Sequence, residues 1–229
     1  MSASDKPIRN ALVVWGGWDG HTPEQSANVF VPFLREQGFE VQVEQGIAAY
    51  ADAERMQRMD LVVQCVTMST IKPEERKGLC EAVAAGTGFA GWHGGIIDSF
   101  RQETEYQFMT GAQWVAHPGN CIPSYSVQVV DPGHEITRGI NAFELRDTEQ
   151  YYIHADPGLH VLCTTRFSGE HGDATRYPAG VIMPYAYTRR WGAGRVFVAC
   201  WGHTFKDFDV PEARTIVQRG LLWSARENA

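Results

Sequence analysis

Three histidines and one glutamate carry most of the chemistry that this sequence can offer. His21, His93 and His203 each stand just beyond an apolar run that reads as a central strand. Glu149 stands in Asp147-Thr148-Glu149-Gln150-Tyr151-Tyr152, a polar and aromatic cluster where a plain strand would alternate more cleanly. Imidazoles with a carboxylate can work as an acid/base set, or as ligands of a divalent metal such as Zn, Mn or Fe, and the spacing forces neither. There is no His-Glu-x-x-His and no pair of closely spaced cysteines, so no metal motif is specific. The other loop histidines, among them His117, His134 and His154, lie beside Pro, Gly or Asp, where a solvated or hydrogen-bonded histidine is the ordinary finding.

Aromatic residues are dense in the same stretches: Trp15, Trp18, Trp92, Trp114, Tyr151, Tyr152 and Trp201. Flat apolar faces beside hydrogen-bonding groups suit sugar rings, whose C–H faces stack while their hydroxyls are bonded. Trp92, Trp18, His117, Tyr151, Tyr152 and His154 are therefore the candidate substrate-binding residues, around a catalytic set of His93, His203, Glu149 and His21. The same set, His21, His93, His203 and Glu149, is the candidate metal set.

The elements that must position these residues follow from the apolar pattern. Gly88 to Gly95, Gly-Phe-Ala-Gly-Trp-His-Gly-Gly, is a buried strand that breaks at once into a glycine-rich turn, with Gly91, Gly94 and Gly95 easing the steric limits around His93. Ala11 to Trp15 and Asp60 to Val66 are continuous apolar runs of the kind covered on both faces, and Val41 to Glu44 is a further strand. Thr22 as N-cap and Pro23 at the first position open a helix to about Gln37, closed by Gly38 and kinked at Pro32. Pro73 opens a second helix to about Ala85, and another runs from about Gln102 to Thr110.

Strands alternating with helices at this spacing predict a parallel, doubly wound sheet with right-handed crossovers, whose ligands bind at the carboxyl ends of the strands. Beyond Thr110 the texture becomes β-rich. Ala112 to Asn120 reads as a loop, and strands follow at Tyr125 to Val130, around Phe143 to Tyr152, at His160 to Arg166, Val181 to Tyr187 and Arg195 to Trp201. Pro211 opens a last helix whose Ile216, Val217, Gly220, Leu221 and Trp223 can face the sheet. The segment 169–178 reads as a polar surface loop, with a lid or an oligomer contact as alternatives.

Bulk properties narrow the function classes. At 229 residues one α/β layer fold, a single domain over 1–229, accommodates the whole chain and would bury roughly 70 to 75% of its unfolded surface. A net charge of −7 argues against nucleic-acid or anionic-membrane partners, which need clustered Lys and Arg. No apolar leader and no membrane-length run is present, so a cytoplasmic protein is expected. The five separated cysteines, Cys65, Cys80, Cys121, Cys163 and Cys200, fit reduced thiols rather than a disulfide framework.

In this order the motifs resemble the ThuA-like, or trehalose-utilisation, family. The matching pieces are Gly16-Gly17 with His21, Gly91-Trp92-His93-Gly94, Gly111-Ala112 with His117-Pro118, and Asp131 with His134-Glu135-Ile136-Thr137-Arg138-Gly139-Ile140. They continue with Asp147, Glu149 and Tyr151, and with Trp191-Gly192-Ala193-Gly194-Arg195-Val196 ending in Gly202-His203. The resemblance implies a flavodoxin-like three-layer fold with a mostly parallel central sheet, similar to class I glutamine amidotransferases, and a β-rich C-terminal portion of the same domain. Those relatives carry a cysteine nucleophile at the strand-to-helix elbow, where this chain has His93, so amidotransferase chemistry is not expected. What the family implies is sugar catabolism on a disaccharide or keto-sugar, trehalose or its 3-keto derivatives, by an isomerase, lyase or hydrolase. The alternative is a non-catalytic sugar-binding or regulatory domain on the same scaffold. A small-molecule sugar is the expected partner, and a homo-oligomer is left open.

Overall fold

The computed structural model describes residues 9–172 and 179–227. Its elements in chain order are β1 (Arg9–Gly17), α1 (Pro23–Glu36), β2 (Phe39–Gln45), α2 (Ala53–Gln57), β3 (Leu61–Thr67), α3 (Pro73–Ala84), β4 (Gly88–Trp92), α4 (Gly94–Ile97) and α5 (Thr104–Thr110). They continue through β5 (Ala112–Ala116), β6 (Cys121–Val129), β7 (Phe143–Glu149), β8 (Tyr152–Ala155), β9 (His160–Arg166), β10 (Ile182–Trp191), β11 (Gly194–Ala199) and α6 (Pro211–Ser224).

Among the described residues nine strands form one sheet in the order β2-β1-β3-β4-β11-β10-β9-β6-β7. From β2 to β11 neighbouring strands are parallel, and from β11 to β7 they are antiparallel. Apart from β5 and β8, the β-rich second half therefore extends the same sheet as the doubly wound first half. β3 and β4 are buried at every position, as continuous apolar runs in a sheet covered on both faces must be. α1 and α6, joined through the turn Phe205–Asp209, cover one face, while α2, α3 and α5, packed on one another, cover the other. Strand order reverses at β1, so the crevice for a ligand lies beyond the carboxyl ends of β1, β3, β4 and β11.

Two local expectations need correction. Ala112–Ala116 is a strand, not a loop: it pairs antiparallel with β8 in a separate two-stranded sheet, a partner too remote in sequence for its short pattern to announce. Thr22 takes the N-cap position with φ +45°, but its hydroxyl makes no cap bond; it accepts the Phe205 N–H at 3.1 Å and so ties α1 to the loop after His203. At the elbow the glycines ease the crowding around His93 as expected, without positive φ of their own. His93 itself carries φ +49° and ψ −142°, and the glycines supply close approach instead. A Cβ on Gly94 would lie 2.6 Å from His21 Cε1, and one on Gly95 2.7 Å from Cys65 Cα.

None of the five cysteines is in a disulfide; four are buried and Cys121 is exposed. Burial pushes the Cys65 thiol up to about 12 and raises Cys200 as well, which leaves neither as a ready nucleophile. Among the described residues no helix is long and apolar enough to cross a membrane. Of the segment 169–178, residues 173–178 lie outside the described residues, so no lid or oligomer contact is described there.

Asp147 is a further residue of positive φ that bears on the site. Its φ of +51° lies opposite Pro123, which has no N–H to complete the ladder, and it breaks the alternation of β7 so that Thr148 and Glu149 are both buried. Asp tolerates this backbone region better than a β-branched residue does. Asp147→Val is therefore expected to cost about 1–3 kcal/mol more than Asp147→Gly in denaturant unfolding; equal stabilities would show that the backbone at 147 is not strained.

Candidate functional site

Four side chains from four strand ends meet at one point. β1 leads into a short turn that carries His21, β4 ends at His93, β11 leads through Gly202 to His203, and β7 ends at Glu149. One ligand atom from each lies within 4.8 Å of the others. Glu149 Oε2 is 3.1 Å from His93 Nε2, 3.4 Å from His203 Nδ1 and 3.8 Å from His21 Nε2. His21, His93 and Glu149 are buried, and His203 is nearly so.

The hydrogen bonds behind each ligand atom fix its orientation. His93 Nδ1 is 3.0 Å from the Cys200 carbonyl oxygen, which can only accept, so Nδ1 carries the proton and donates it. In the neutral ring Nε2 then turns a lone pair toward the Glu149 carboxylate. His93 also stacks on Tyr151, with ring centroids 3.7 Å apart. His21 Nδ1 is hydrogen-bonded to Thr67 Oγ1 at 2.9 Å, which leaves Nε2 facing the centre. The loop of His203 is braced by Asp207, whose Oδ2 accepts from Gly202 N and His203 N at 3.0 Å and from Thr148 Oγ1 at 2.9 Å. Glu149 is anchored through its backbone, because its carbonyl accepts from Tyr125 OH at 2.9 Å and from Tyr185 OH at 3.3 Å.

Burial lowers the His93 imidazole to about 3, against the upward pull of the Glu149 carboxylate beside it, so the ring is neutral at ordinary pH. For Glu149 burial works upward, but the histidines around it, His203, His21 and His93, together hold the carboxyl well below its usual range. The centre is thus a carboxylate facing imidazole nitrogens, one of which has its lone pair fixed toward it.

A cavity of about 450 Å³ opens onto this cluster, within the size range of small-molecule sites. Its walls include Trp18, Trp114, Tyr151, Arg101, Asp98 and His117. Arg101 lies over the Trp114 ring at 4.5 Å and makes a two-pronged ion pair with Asp98, at 2.5 and 2.8 Å. His117 is half-buried, with Nε2 3.7 Å from Glu149 Oε1 and a buried Nδ1 that has no hydrogen-bond partner among the described residues.

The candidate substrate-binding residues divide. Trp18, His117 and Tyr151 line the cavity, but Trp92, Tyr152 and His154 do not. Trp92 is buried between Phe30 and Phe208, because its side chain leaves β4 on the face opposite the elbow's opening and joins the core under α1. Tyr152 packs on Phe167, and His154 is exposed on β8 opposite Gln113. Sequence reasoning did not single out Thr67, Asp98, Arg101 or Asp207. None stands in a motif, and each acts through a partner 3 to 59 positions away.

A family model described as trehalose utilisation, ThuA, matches residues 10–224. The fold is similar to that of a ThuA-like protein from Bacteroides uniformis, with 15% identity, 98% of this chain and 94% of that one covered, and a TM-score of 0.76. It is similar also to a ThuA-like protein from Parabacteroides merdae, at 17% identity, coverage of 98% and 93%, and a TM-score of 0.71. A cytoplasmic protein from Salmonella typhimurium shares the fold at 13% identity, coverage of 96% and 100%, and a TM-score of 0.64. No curated protein matches the sequence.

The lowered His93 pKa sets a pH dependence. Between about pH 6.5 and 3 the unfolded imidazole holds a proton that the folded one does not, so stability is present above that window and declines as pH falls through it. With a chelator present, the unfolding free energy should drop from pH 6.5 to 5 with a contribution from this residue of at most about 1.4 kcal/mol per pH unit. His93→Gln should flatten the slope by that contribution; an unchanged slope would mean that His93 titrates normally in the fold.

Proposed function

Because the chain belongs to the ThuA family, with a trehalose-utilisation-related role, we propose that the strand-edge cluster is the centre of an enzyme that acts on a disaccharide or keto-sugar by His/Glu acid–base chemistry. The observation that carries this reading is the convergence of His21, His93, His203 and Glu149, of which His21, His203 and Glu149 line an aromatic-walled cavity. Trp18, Trp114 and Tyr151 offer flat faces to sugar C–H groups, and Asp98, Arg101 and Asn120 offer polar atoms to hydroxyls.

Beside a ketone, a carbon-bound proton is acidic enough to be removed by a carboxylate or an unprotonated imidazole. Glu149 lines the cavity and is held ionised, so a carboxylate oxygen is free of its own proton there, while His93, which does not line the cavity, stands behind it as a positioning group. His117, with Nε2 3.7 Å from Glu149 Oε1 and on the cavity wall, would pass a proton between the site and a bound sugar. The negative charge that develops on the ketone oxygen needs a positive or N–H-bearing neighbour, and Arg101 is the cationic side chain on the cavity wall. Isomerisation, elimination and glycosidic cleavage through the keto-sugar all start from this proton loss. Hydrolysis by two carboxylates fits less well, since Asp98, the other acid on the wall, is engaged by Arg101.

The test is turnover of trehalose, of 3-keto-trehalose and of 3-keto-glucose by the wild-type protein and by Glu149→Gln. Turnover of at least one of them, reduced roughly 10²- to 10⁴-fold in the variant, is expected. Binding of these sugars without turnover would make the chain a sugar-binding domain, and neither binding nor turnover would remove sugars as its ligands.

A further inference from the structure

We infer that His21, His93, His203 and Glu149 together hold one resident divalent metal ion, of the Zn, Mn or Fe type. The inference rests on the reading of this cluster as the functional centre and adds to it a cofactor. Its starting point is an electrostatic mismatch. With Nδ1 donated to the Cys200 carbonyl, His93 aims the lone pair of Nε2 at a carboxylate oxygen 3.1 Å away. Two electron-rich atoms at that distance repel unless a cation lies with them. A metal ion satisfies the same lone pair without charging the ring.

The remaining donors agree. His203 Nδ1 is buried and without a hydrogen-bond partner among the described residues, although it lies 3.4 Å from the same carboxylate oxygen. His21 reaches the centre through Nε2 while Thr67 holds its other nitrogen. Ring centroids of the three imidazoles are 4.8, 5.1 and 5.6 Å apart, in edge-on arrangement. Three imidazoles bound tetrahedrally at about 2.1 Å would have centroids roughly 5 Å apart. The neighbours behind the ligands are those that metal sites use: a backbone carbonyl on one histidine, a threonine hydroxyl on another, and backbone anchoring of the carboxylate.

Three imidazoles and one carboxylate, with no thiolate, select ions of borderline character such as Zn, Mn or Fe over Ca or Mg, which prefer oxygen, and over Cu(I), which prefers sulfur. Such an ion supplies Lewis acidity toward a ketone or hydroxyl oxygen of the bound sugar. The cavity side of the cluster, toward Trp18, Trp114 and His117, is the side from which a sugar oxygen can approach. With three imidazoles and Glu149 Oε2 committed, the other carboxylate oxygen, Oε1, 3.7 Å from His117 Nε2, and His117 itself are left to exchange a proton with the substrate.

The test uses full-length protein purified without a nickel column. Elemental analysis should give close to one equivalent of Zn, Mn or Fe, and exhaustive chelation should lower Tm, with recovery on adding back Zn²⁺, Mn²⁺ or, under argon, Fe²⁺. His203→Asn and Glu149→Gln should each reduce metal content at least about tenfold, and Thr67→Val should weaken affinity about 10- to 100-fold, while Lys206→Ala, outside the ligand set, changes neither. If the variants unfold, the wild-type titration decides alone. Trace metal in the wild-type protein together with a Tm indifferent to all three ions overturns the site, whether or not a sugar turns over. Stoichiometric metal bound by these ligands supports the site even if no sugar is turned over, an outcome that counts against the enzyme proposed above and not against the ion.

Discussion

The hydrogen bond from His93 Nδ1 to the Cys200 carbonyl is the contact on which the arrangement of the centre depends. It exists because β4 and β11 lie side by side and parallel, in a register that pairs Trp92 with Ala199. The next residue of β4 is therefore His93, whose backbone N–H donates to Ala199 O at 2.7 Å and whose ring reaches the following carbonyl. The same β11 then passes through Gly202, at φ +104°, to His203. One strand pairing thus sets the tautomer of one histidine and the position of a second. The strained backbone at His93 persists because strand, carbonyl and the Tyr151 ring fix it from three sides.

Each of the other donors reaches this point by a different device. Gly94 leaves the space into which the His21 ring fits, so the elbow and the β1 loop can touch where any larger residue would separate them. Glu149 comes from β7, the edge strand at the far end of the sheet from β2, yet its carboxylate lies 3.1 Å from His93 Nε2 beyond the end of β4. The left-handed residue Asp147 then turns both Thr148 and Glu149 inward, the first to brace Asp207 and the second to meet the histidines. Asp207 in turn holds the two N–H groups that position His203. The result is a site built on rigid strand ends and held behind by polar contacts, which is how a reactive constellation stays preorganised.

Much of this was legible in the sequence, and the reasons for success and failure are physical. The parallel half is legible because fully buried strands read as unbroken apolar runs and their helices carry proline at the first turn; β1, β3, β4, α1 and α3 all have these marks. Placing His21, His93 and His203 on one edge follows from the doubly wound topology itself. Glu149 is detectable because Asp147 disrupts the alternation of β7, so a polar cluster appears where a strand should alternate. Trp92, Tyr152 and His154 misled because sequence proximity to a site residue does not tell which face of a strand a side chain leaves. β5 is silent because its partner β8 lies some 40 residues on. Thr67 and Asp207 carry no local signal, since their roles exist only once the loops have met.

The central claim is that the four strand-end donors share one cation, and diffraction measured at a metal absorption edge addresses it most directly. Crystals of protein purified without a nickel column should show one strong anomalous peak, about 2.0–2.2 Å from His21 Nε2, His93 Nε2, His203 Nδ1 and a Glu149 oxygen. A structure with no anomalous signal among these atoms, a water in that place and the Glu149 carboxylate hydrogen-bonded to a doubly protonated His93 would contradict it.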